Sequence, residues 1–408
     1  MRQLIIGASA AGISAAKTLR TLKKDDEIVL LSSDTNVHSR CMLHHFMGGH
    51  KSIEDVNFAG SDFFEKYSVQ WIKGKRAVKV NTDKNLVILD DGAEVTYDNL
   101  LVATGAVFVI PPIPNFRTSG NVYGLRDIYD AQKISEAAAK AKSCVIVGSG
   151  LVGLDAAYAL CERGIKCSVV EMADRISPLQ LDYTSAGEYQ KRFEAAACTF
   201  YLDEKAADSK IDGSGNITSL ILASGKEIPC DFVVVAAGVK PAVAFLEGSG
   251  IKTDKSVCTD EYMRTNIANV WAAGDVAGIT GIWPNAMEQG EIDAKNMLGI
   301  PTPYNNRYGL KNTMNFFGLT TLSLGTALPC EGDEVYARES KSQYERLIVR
   351  EGAVVGVIIQ GDISNKGIWQ EIVKNKISLC DIKKSPFNIS YADFYRYNPM
   401  DASFEWSE

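Results

Sequence analysis

The chain has 408 residues, 46% hydrophobic and 23% charged, an ordinary globular balance that is too long for one core and points to two or three domains. Its formal net charge is -7, with 43 Lys and Arg against 50 Asp and Glu and no basic cluster, so nucleic acid is excluded as a partner on electrostatic grounds. No apolar run approaches the ~18 residues of a membrane span, and Met1 leads straight into an apolar strand without the pattern of a signal peptide, so the expectation is a cytoplasmic protein with no membrane association.

The first element is the short strand RQLIIG, followed by GASAAG (Gly7 to Gly12), the helix-like run AGISAAKTLRTLKK and a second strand, EIVLLSS. This is a βαβ start in which Gly7 makes the tight turn and Gly12 allows close helix packing, leaving helix N-terminal amides aimed at a pyrophosphate. Ser9 replaces the middle glycine of G-x-G-x-x-G. Ser32 stands where a ribose-binding acid is usual, with Asp34 two residues on, so by itself the motif also fits a plain α/β turn.

Next comes NVHSRCMLHHFMGGH, residues 36 to 50, which holds all four histidines (His38, His44, His45, His50) and Cys41. No two histidines have the H-E-x-x-H spacing, and adjacent His44 and His45 on a helix point to different faces, so no metal site is expected. A thiol at a helix N-terminus beside Arg40 would have its thiolate stabilised by dipole and cation. The alternative for Cys41 is a small apolar residue used for packing. The other cysteines, Cys144, Cys161, Cys167, Cys198, Cys230, Cys258, Cys330 and Cys380, complete a set without any C-x-x-C pair. That argues against a zinc ribbon, an iron-sulfur cluster or a dithiol, and most of them are expected to be buried hydrophobes.

A second and complete fingerprint lies in CVIVGSGLVGLDAAYALCERGIKCSVVE, with Gly148, Gly150 and Gly153 between a strand and a helix and Glu171 closing the next strand. This is a nicotinamide-dinucleotide site. The Glu171 carboxylate can accept hydrogen bonds from a free ribose 2'-hydroxyl and repels a 2'-phosphate, which favours NADH over NADPH. DGSGN (Asp212 to Asn216) and LASGKEI (Leu222 to Ile228) read as hairpin turns, because glycine and asparagine supply the positive φ such turns need.

Three further motifs stand in fixed order around these: YDNLLVATGA (Tyr97 to Ala106) with PPIP behind it, VVVAAGVKP (Val233 to Pro241) and RTNIANVWAAGDVA (Arg264 to Ala277). With them the first 300 residues or so resemble the FAD-dependent pyridine nucleotide disulfide oxidoreductases. The resemblance implies an α/β fold with two Rossmann-like dinucleotide-binding domains, glutathione-reductase-like, plus a small α+β C-terminal domain. FAD would occupy residues 1–111 with 242–308, NADH residues 112–241, and the C-terminal domain would run over 309–408. The cofactor contacts it implies are Gly7, Ser9, Ala11, Gly12, Ser32, Ser33, Arg40, Val78, Ala103, Thr104, Gly105, Gly148, Gly150, Leu151, Val152, Gly153, Glu171, Gly238, Gly274 and Asp275, with Asp275 on the FAD ribityl chain.

The same resemblance places residues 36 to 50 beside the flavin. Cys41 matches the single redox thiol of the coenzyme A disulfide reductases and of the NADH oxidases and peroxidases. Arg40 and Leu43 match the Arg-Pro-x-Leu pattern of the NADH:rubredoxin oxidoreductases and nitrite reductase flavoproteins, with Cys41 in the proline's place. The catalytic candidates are therefore Arg40, Cys41 and Asp155, the last standing where the family usually has a longer glutamate near the nicotinamide. WPNAMEQGEIDAKNMLG resembles the helix whose N-terminal end faces the flavin, while Phe316 and Phe317 are expected to pack and the aromatic tail from Phe387 to lie on its own subunit.

ERLIVREGAVVGVIIQGDISNKGIWQEIVKNK (Glu345 to Lys376) resembles the short C-terminal domain of the rubredoxin reductase branch: a hairpin, then a Gly-Asp turn leading to a helix. The implied function is transfer of a hydride from NADH to FAD and of electrons onward to a small iron-sulfur protein, rubredoxin or ferredoxin-like, or the reverse. Two alternatives stand beside it. One is a thiol-dependent oxidase, peroxidase or disulfide or persulfide reductase using Cys41; the other is an NADH-responsive flavoprotein that recruits a partner. A homodimer or a subunit of a redox complex is compatible with either.

Overall fold

The opening apolar run becomes the centre of a five-stranded parallel sheet with the spatial order Val270–Ala272, Asn99–Val102, Arg2–Ile6, Glu27–Ser32, Val69–Lys73. In this computed structural model, residues 1–309, 311–379, 384–400 and 402–406 are described; Cys380 lies outside them. The strands are almost continuously apolar because a parallel sheet is covered on both faces. Helix α1 (Ala10–Leu22) covers one face.

A second parallel sheet has the order Cys198–Tyr201, Lys166–Val170, Ser143–Val147, Phe232–Val235, Val122–Gly124. Short α2 (Leu43–Met47) packs against α3 (Ile128–Ala138) and α4 (Leu151–Glu162), which cover the second sheet. Leu43 and Met47 of α2 are buried in one apolar cluster with Ile128, Ile134, Leu154, Ala157, Met314 and Phe316. Polar contacts fasten the same seam: His50 Nε2 lies 2.6 Å from Glu162 Oε2, and Arg163 donates to the carbonyls of Met47 and Ser135, both at 3.1 Å.

The chain passes between the two units twice, and the passing segments Ala106–Phe108 and Val239–Pro241 pair antiparallel. The expected hairpin turns form between Ala206–Ile211, Ile217–Leu222 and Glu227–Pro229, with Gly215 at φ +81 and Gly225 at φ +85. Helix α5 (Tyr183–Ala195) precedes this sheet, and α6 (Trp283–Met297) returns to the first sheet, where it crosses α1. A Cβ at Gly290 would come 2.1 Å from the Ala11 carbonyl, so glycine sets how closely these two helices approach.

The C-terminal sheet is antiparallel in the order Lys311–Phe316, Leu319–Gly325, Ala353–Gln360, Tyr344–Arg350, Glu334–Glu339, followed by α7 (Ile368–Asn375). The hairpin, the turn at Gly361 (φ +116) and the helix appear in the expected succession. Phe316 packs among Tyr158, Tyr189 and Phe193, with ring centroids 5.3 to 5.7 Å apart. Ile389 and Phe394 of the tail are buried with α7 residues, on this chain's own sheet. No helix among the described residues is long and apolar enough to cross a membrane.

One carboxylate anchors the third sheet to the second unit. Asp182, whose side chain is 2% exposed, caps α5 by accepting from Ser185 N at 2.9 Å and also accepts from Tyr344 and from Arg346 Nη1 at 2.7 Å. Burial alone would raise its pKa, but the hydrogen bonds from Ser185, Tyr344 and Arg346 outweigh that and hold it below the ordinary carboxylate range. A depressed carboxylate contributes stability that is present above the unfolded-state pKa and lost as pH falls through the folded one. Asp182→Ala leaves Arg346 half of a broken buried pair and is expected to cost about 3 kcal/mol. Urea unfolding at neutral pH measures this, and the difference from wild type should shrink in acid.

Candidate active site

The C-terminal ends of the first sheet open onto a cavity of about 870 Å³, within the range of cofactor sites. Its wall brings together Gly7, Ser9, Ala11, Ser32, Ser33, Arg40, Cys41, Ala103, Thr104, Gly105, Gly274 and Asp275. Gly7 has φ +121, and a Cβ there would meet the Ala103 carbonyl at 2.1 Å; one at Gly12 would meet the Gly7 carbonyl at 1.8 Å. Gly12 thus lets α1 start close under the loop and does not line the cavity itself. Ser9, the residue preceding α1, makes no side-chain cap and the first turn has no acid, so the N–H groups there remain available to a phosphate. The first turn of α6 faces the same cavity through Trp283 and Ala286, again with no side-chain cap. These two helix starts and the glycine cradle fit a dinucleotide.

Val78 falls outside the wall. It is 45% exposed on the outer side of the strand Ala77–Asn81, and at this point the wall is formed by Lys75, Arg76 and Ala77. Val78 sits at a β-bulge between Ala77 and Lys79, where it and Lys79 are both exposed, so its side chain turns away from the cavity. Arg126 has no counterpart in the motif reading. Its Nε donates to the Ala106 carbonyl at 3.0 Å, its Nη2 pairs with Asp275, and its own carbonyl accepts from Arg40 Nη1 at 2.7 Å. No local signal marks it, because 149 positions separate it from Asp275.

The expected activation of Cys41 is not what the geometry provides. Cys41 lies inside a 3-10 turn, Arg40–Met42, before a helix of only 5 residues, and Arg40 turns its guanidinium toward Asp34 at 3.4 Å. The thiol is open to the cavity, yet the protein around it pushes its pKa up by desolvation, Asp155 adds to the rise, and Arg126 opposes it. Cys41 is thus held as a thiol.

Asp155 comes from α4 in the second unit and faces α2, with its Oδ1 3.5 Å from His44 Nδ1. Its side chain keeps 29% of its surface, but desolvation by the packed seam pushes the carboxyl up to about 7. Burial and neighbouring His45 push His44 down to about 4, so near pH 7 the contact joins a neutral imidazole to a carboxyl that is about half ionised. His38 is buried with Nδ1 3.1 Å from the Asn36 carbonyl, and among the described residues no group of His, Cys, Asp and Glu is arranged to hold a metal.

Because Asp155 becomes an anion only as pH rises through about 7, its effect on Cys41 should appear above that pH. Asp155→Asn is expected to speed iodoacetamide alkylation of Cys41 roughly three- to tenfold at pH 8 and to leave it unchanged at pH 6. Equal rates at both pH values would show that the two groups do not communicate.

The second glycine loop lies apart from this cavity. A Cβ at Gly148 (φ +104) would lie 2.5 Å from the Ala236 carbonyl, and one at Gly153 would lie 2.0 Å from the Gly148 carbonyl. Gly150 precedes α4 without a side-chain cap, and Leu151 and Val152 form its first turn. Glu171 Oε2 accepts from Ser149 N at 2.8 Å and Ser149 Oγ at 2.7 Å, and its Oε1 accepts from Ala173 N at 2.9 Å. The carboxylate is thus pinned against the loop. Gly238, at φ +96, accepts from Val109 N at 3.0 Å where the chain crosses back between the units. None of these residues lines the large cavity.

Residues 1–290 match the family described as pyridine nucleotide-disulphide oxidoreductase, and residues 311–377 match the rubredoxin NAD+ reductase C-terminal domain. Subunit epsilon of the NADH-dependent phenylglyoxylate dehydrogenase of Aromatoleum evansii is 29% identical over 94% of this chain and 93% of that one. The NADH-rubredoxin oxidoreductase of Clostridium acetobutylicum is 24% identical over 88% and 91%. Nitrite reductase [NAD(P)H] of Bacillus subtilis is 28% identical over 93% of this chain, which spans only 48% of that relative's length. Among solved structures, a ferredoxin reductase from Rhodopseudomonas palustris shares the fold with a TM-score of 0.83 at 22% identity, covering 92% and 95%.

Proposed function

This chain belongs to the pyridine nucleotide-disulphide oxidoreductase family of FAD-dependent NAD(P)H oxidoreductases, and from that premise we propose that it carries electrons between NADH and a small iron-sulfur protein of the rubredoxin or ferredoxin kind. The observation that carries this reading is the match of residues 311–377 to a rubredoxin reductase C-terminal domain. The cavity thiol held in its protonated form agrees with it, since a one-electron acceptor needs no thiolate. An NADH-rubredoxin oxidoreductase aligned over most of both chains supports the same acceptor class. The relative named as a subunit supports a place in a larger complex.

We assign FAD to residues 1–111 with 242–308, NADH to 112–241, and the docked third unit to 309–408. When bound, FAD supplies the chemistry that accepts a hydride and releases electrons singly. The chain's part is positional and electrostatic. Gly7 and the start of α1, set close beneath the loop by Gly12, hold a pyrophosphate; Asp275, backed by Arg126, accepts hydroxyl hydrogen bonds; Glu171 accepts from ribose hydroxyls and excludes a 2'-phosphate. Arg40 places a cation in the cavity wall, and the seam of α2 against α4 aligns the two sites.

The test is anaerobic reduction of the purified yellow protein by NADH, followed by addition of rubredoxin or ferredoxin. We expect reduction of such a protein at least about tenfold faster than reduction of a free dye; equal rates would remove the proposal. Exposure of Cys41 to the cavity favours one other reading, a thiol-dependent reductase. A long-wavelength thiolate-to-flavin band on reduction, absent in Cys41→Ser, would establish that reading instead.

A further inference from the structure

The segment between Glu171 and α5 joins the second glycine loop to the third sheet. Ser149 Oγ donates to Glu171 Oε2 at 2.7 Å and accepts from Ser177 N at 3.3 Å, while the Ser149 carbonyl accepts from the same N–H at 3.0 Å. Ser177 Oγ donates to Gln180 Oε1 at 2.9 Å, and Gln180 N donates back to the Ser177 carbonyl at 2.9 Å. The Gln180 carbonyl then accepts from Ser323 Oγ at 2.6 Å, and Ser323 belongs to the strand Leu319–Gly325. Ser149, Ser177 and Ser323 are all buried, so water does not compete for these bonds.

We propose that the third unit takes part in choosing the nucleotide: Ser323 holds residues 172–181 against Ser149, and Ser149 fixes the Glu171 carboxylate where it meets the ribose. This rests on the assignment of NADH to residues 112–241. Ser149 and Ser323 are positioning residues that act through Glu171. A carboxylate selects a free 2'-hydroxyl over a 2'-phosphate only while it stays in place, because both the hydrogen bond and the repulsion weaken as it swings away.

The segment is built to transmit position. Ser177 has φ +45, a strained backbone for a residue with a side chain, and it persists because its N–H is tied to Ser149 and its hydroxyl to Gln180. Arg175 closes the same turn, its Nε on the Leu181 carbonyl at 2.9 Å and its Nη2 on the Pro178 carbonyl at 2.8 Å. The turn therefore moves as one piece, with Ser149 at one end and Ser323 at the other. Asp182, the next residue, is held by Tyr344 and Arg346 of the same third sheet. Release of the Gln180 carbonyl by Ser323 frees the turn to relax, and Ser149 then loses the N–H that sets its hydroxyl toward Glu171.

The experiment follows anaerobic reduction of the flavin in the holoenzyme against NADH and, separately, NADPH concentration, giving a half-saturating concentration and a limiting rate for each. Ser149→Ala is expected to raise the half-saturating NADH concentration about tenfold and Ser323→Ala about threefold, with the limiting rate and flavin content unchanged. The preference for NADH over NADPH should fall with them, and Ser323→Thr should restore it. In a Glu171→Ala background neither alanine should change the preference further. Thr321→Ala controls for loosened docking: Thr321 is also buried, two positions away on the same strand, but its partner Gln360 reaches the Ser185 carbonyl in α5 and not the turn. It should keep the wild-type preference. A wild-type preference in Ser323→Ala while Glu171→Ala shifts it, or an equal shift in Thr321→Ala, would overturn the proposal and leave the NADH assignment standing. A wild-type preference in Glu171→Ala would overturn both. No electron acceptor enters the assay, so it stands apart from the test of the iron-sulfur partner.

Discussion

Gly7→Ala is expected to purify without flavin. The alanine Cβ would sit 2.1 Å from the Ala103 carbonyl oxygen and 2.7 Å from its carbon, against backbone at the end of the strand Asn99–Val102. No rotamer relieves a clash between backbone and Cβ, and the native φ of +121 is strained for any side chain. Either the first loop moves off the sheet or Ala103 and Thr104 move into the cavity. Each outcome removes the surface that would carry the pyrophosphate. Strain of about 1.4 kcal/mol is already a tenfold loss of affinity, and this clash exceeds it, so flavin occupancy should fall below about one-tenth. The measurement is visible absorbance per mole of purified protein. Gly150→Ala is the matched control, because its Cβ would meet nothing within 4 Å and it belongs to the other loop. Full flavin content in Gly7→Ala would show that the cavity is not where FAD binds.

Glu171→Ala should weaken use of NADH and relax the preference against NADPH. The carboxylate accepts three short hydrogen bonds, two from Ser149 and one from Ala173, and thereby holds the glycine loop and the strand end in one geometry. Hydrogen bonds to a charged group contribute about 1.5–3 kcal/mol each when measured by deletion. Removing the carboxylate also removes the repulsion that a 2'-phosphate would meet at this position. We expect kcat/KM for NADH to fall roughly 30- to 100-fold, with a smaller fall or a gain for NADPH. Flavin content should remain that of wild type, since Glu171 does not line the large cavity. Steady-state kinetics with both nucleotides decide this. An unchanged ratio of the two specificity constants would show that the ribose lies elsewhere.

Several features of this protein were legible in its residues alone. Both glycine loops and the turn glycines of the hairpins carry a backbone conformation written in their own residues, and the acid at Glu171 stands at a fixed spacing of 22 positions from the Ser149 it binds. A strand, a positive φ or a missing Cβ is set by local stereochemistry, so a motif reports it directly. The C-terminal hairpin, the turn at Gly361 and α7 belong to the same class. Val78 shows the limit of such reading, because a β-bulge at this point breaks the alternation that assigns strand residues to wall or solvent.

The electrostatic character of the site was decided by the tertiary structure. Arg40 stands next to Cys41 in the chain, yet it spends its charge on Asp34, and the groups that set the Cys41 thiol are Asp155 and Arg126 from distant segments. Arg126 reaches Asp275 only because the chain crosses between the two units and returns. Cys161, Cys167 and Cys198, unremarkable in the sequence, become one cluster when parallel strands and α4 bring them together. Backbone geometry is a property of a residue and its neighbours, whereas burial and Coulomb fields sum over whatever the fold places across a seam. The sequence by itself therefore determined where the two glycine loops lie. Only the fold decided which charges and thiols face one another.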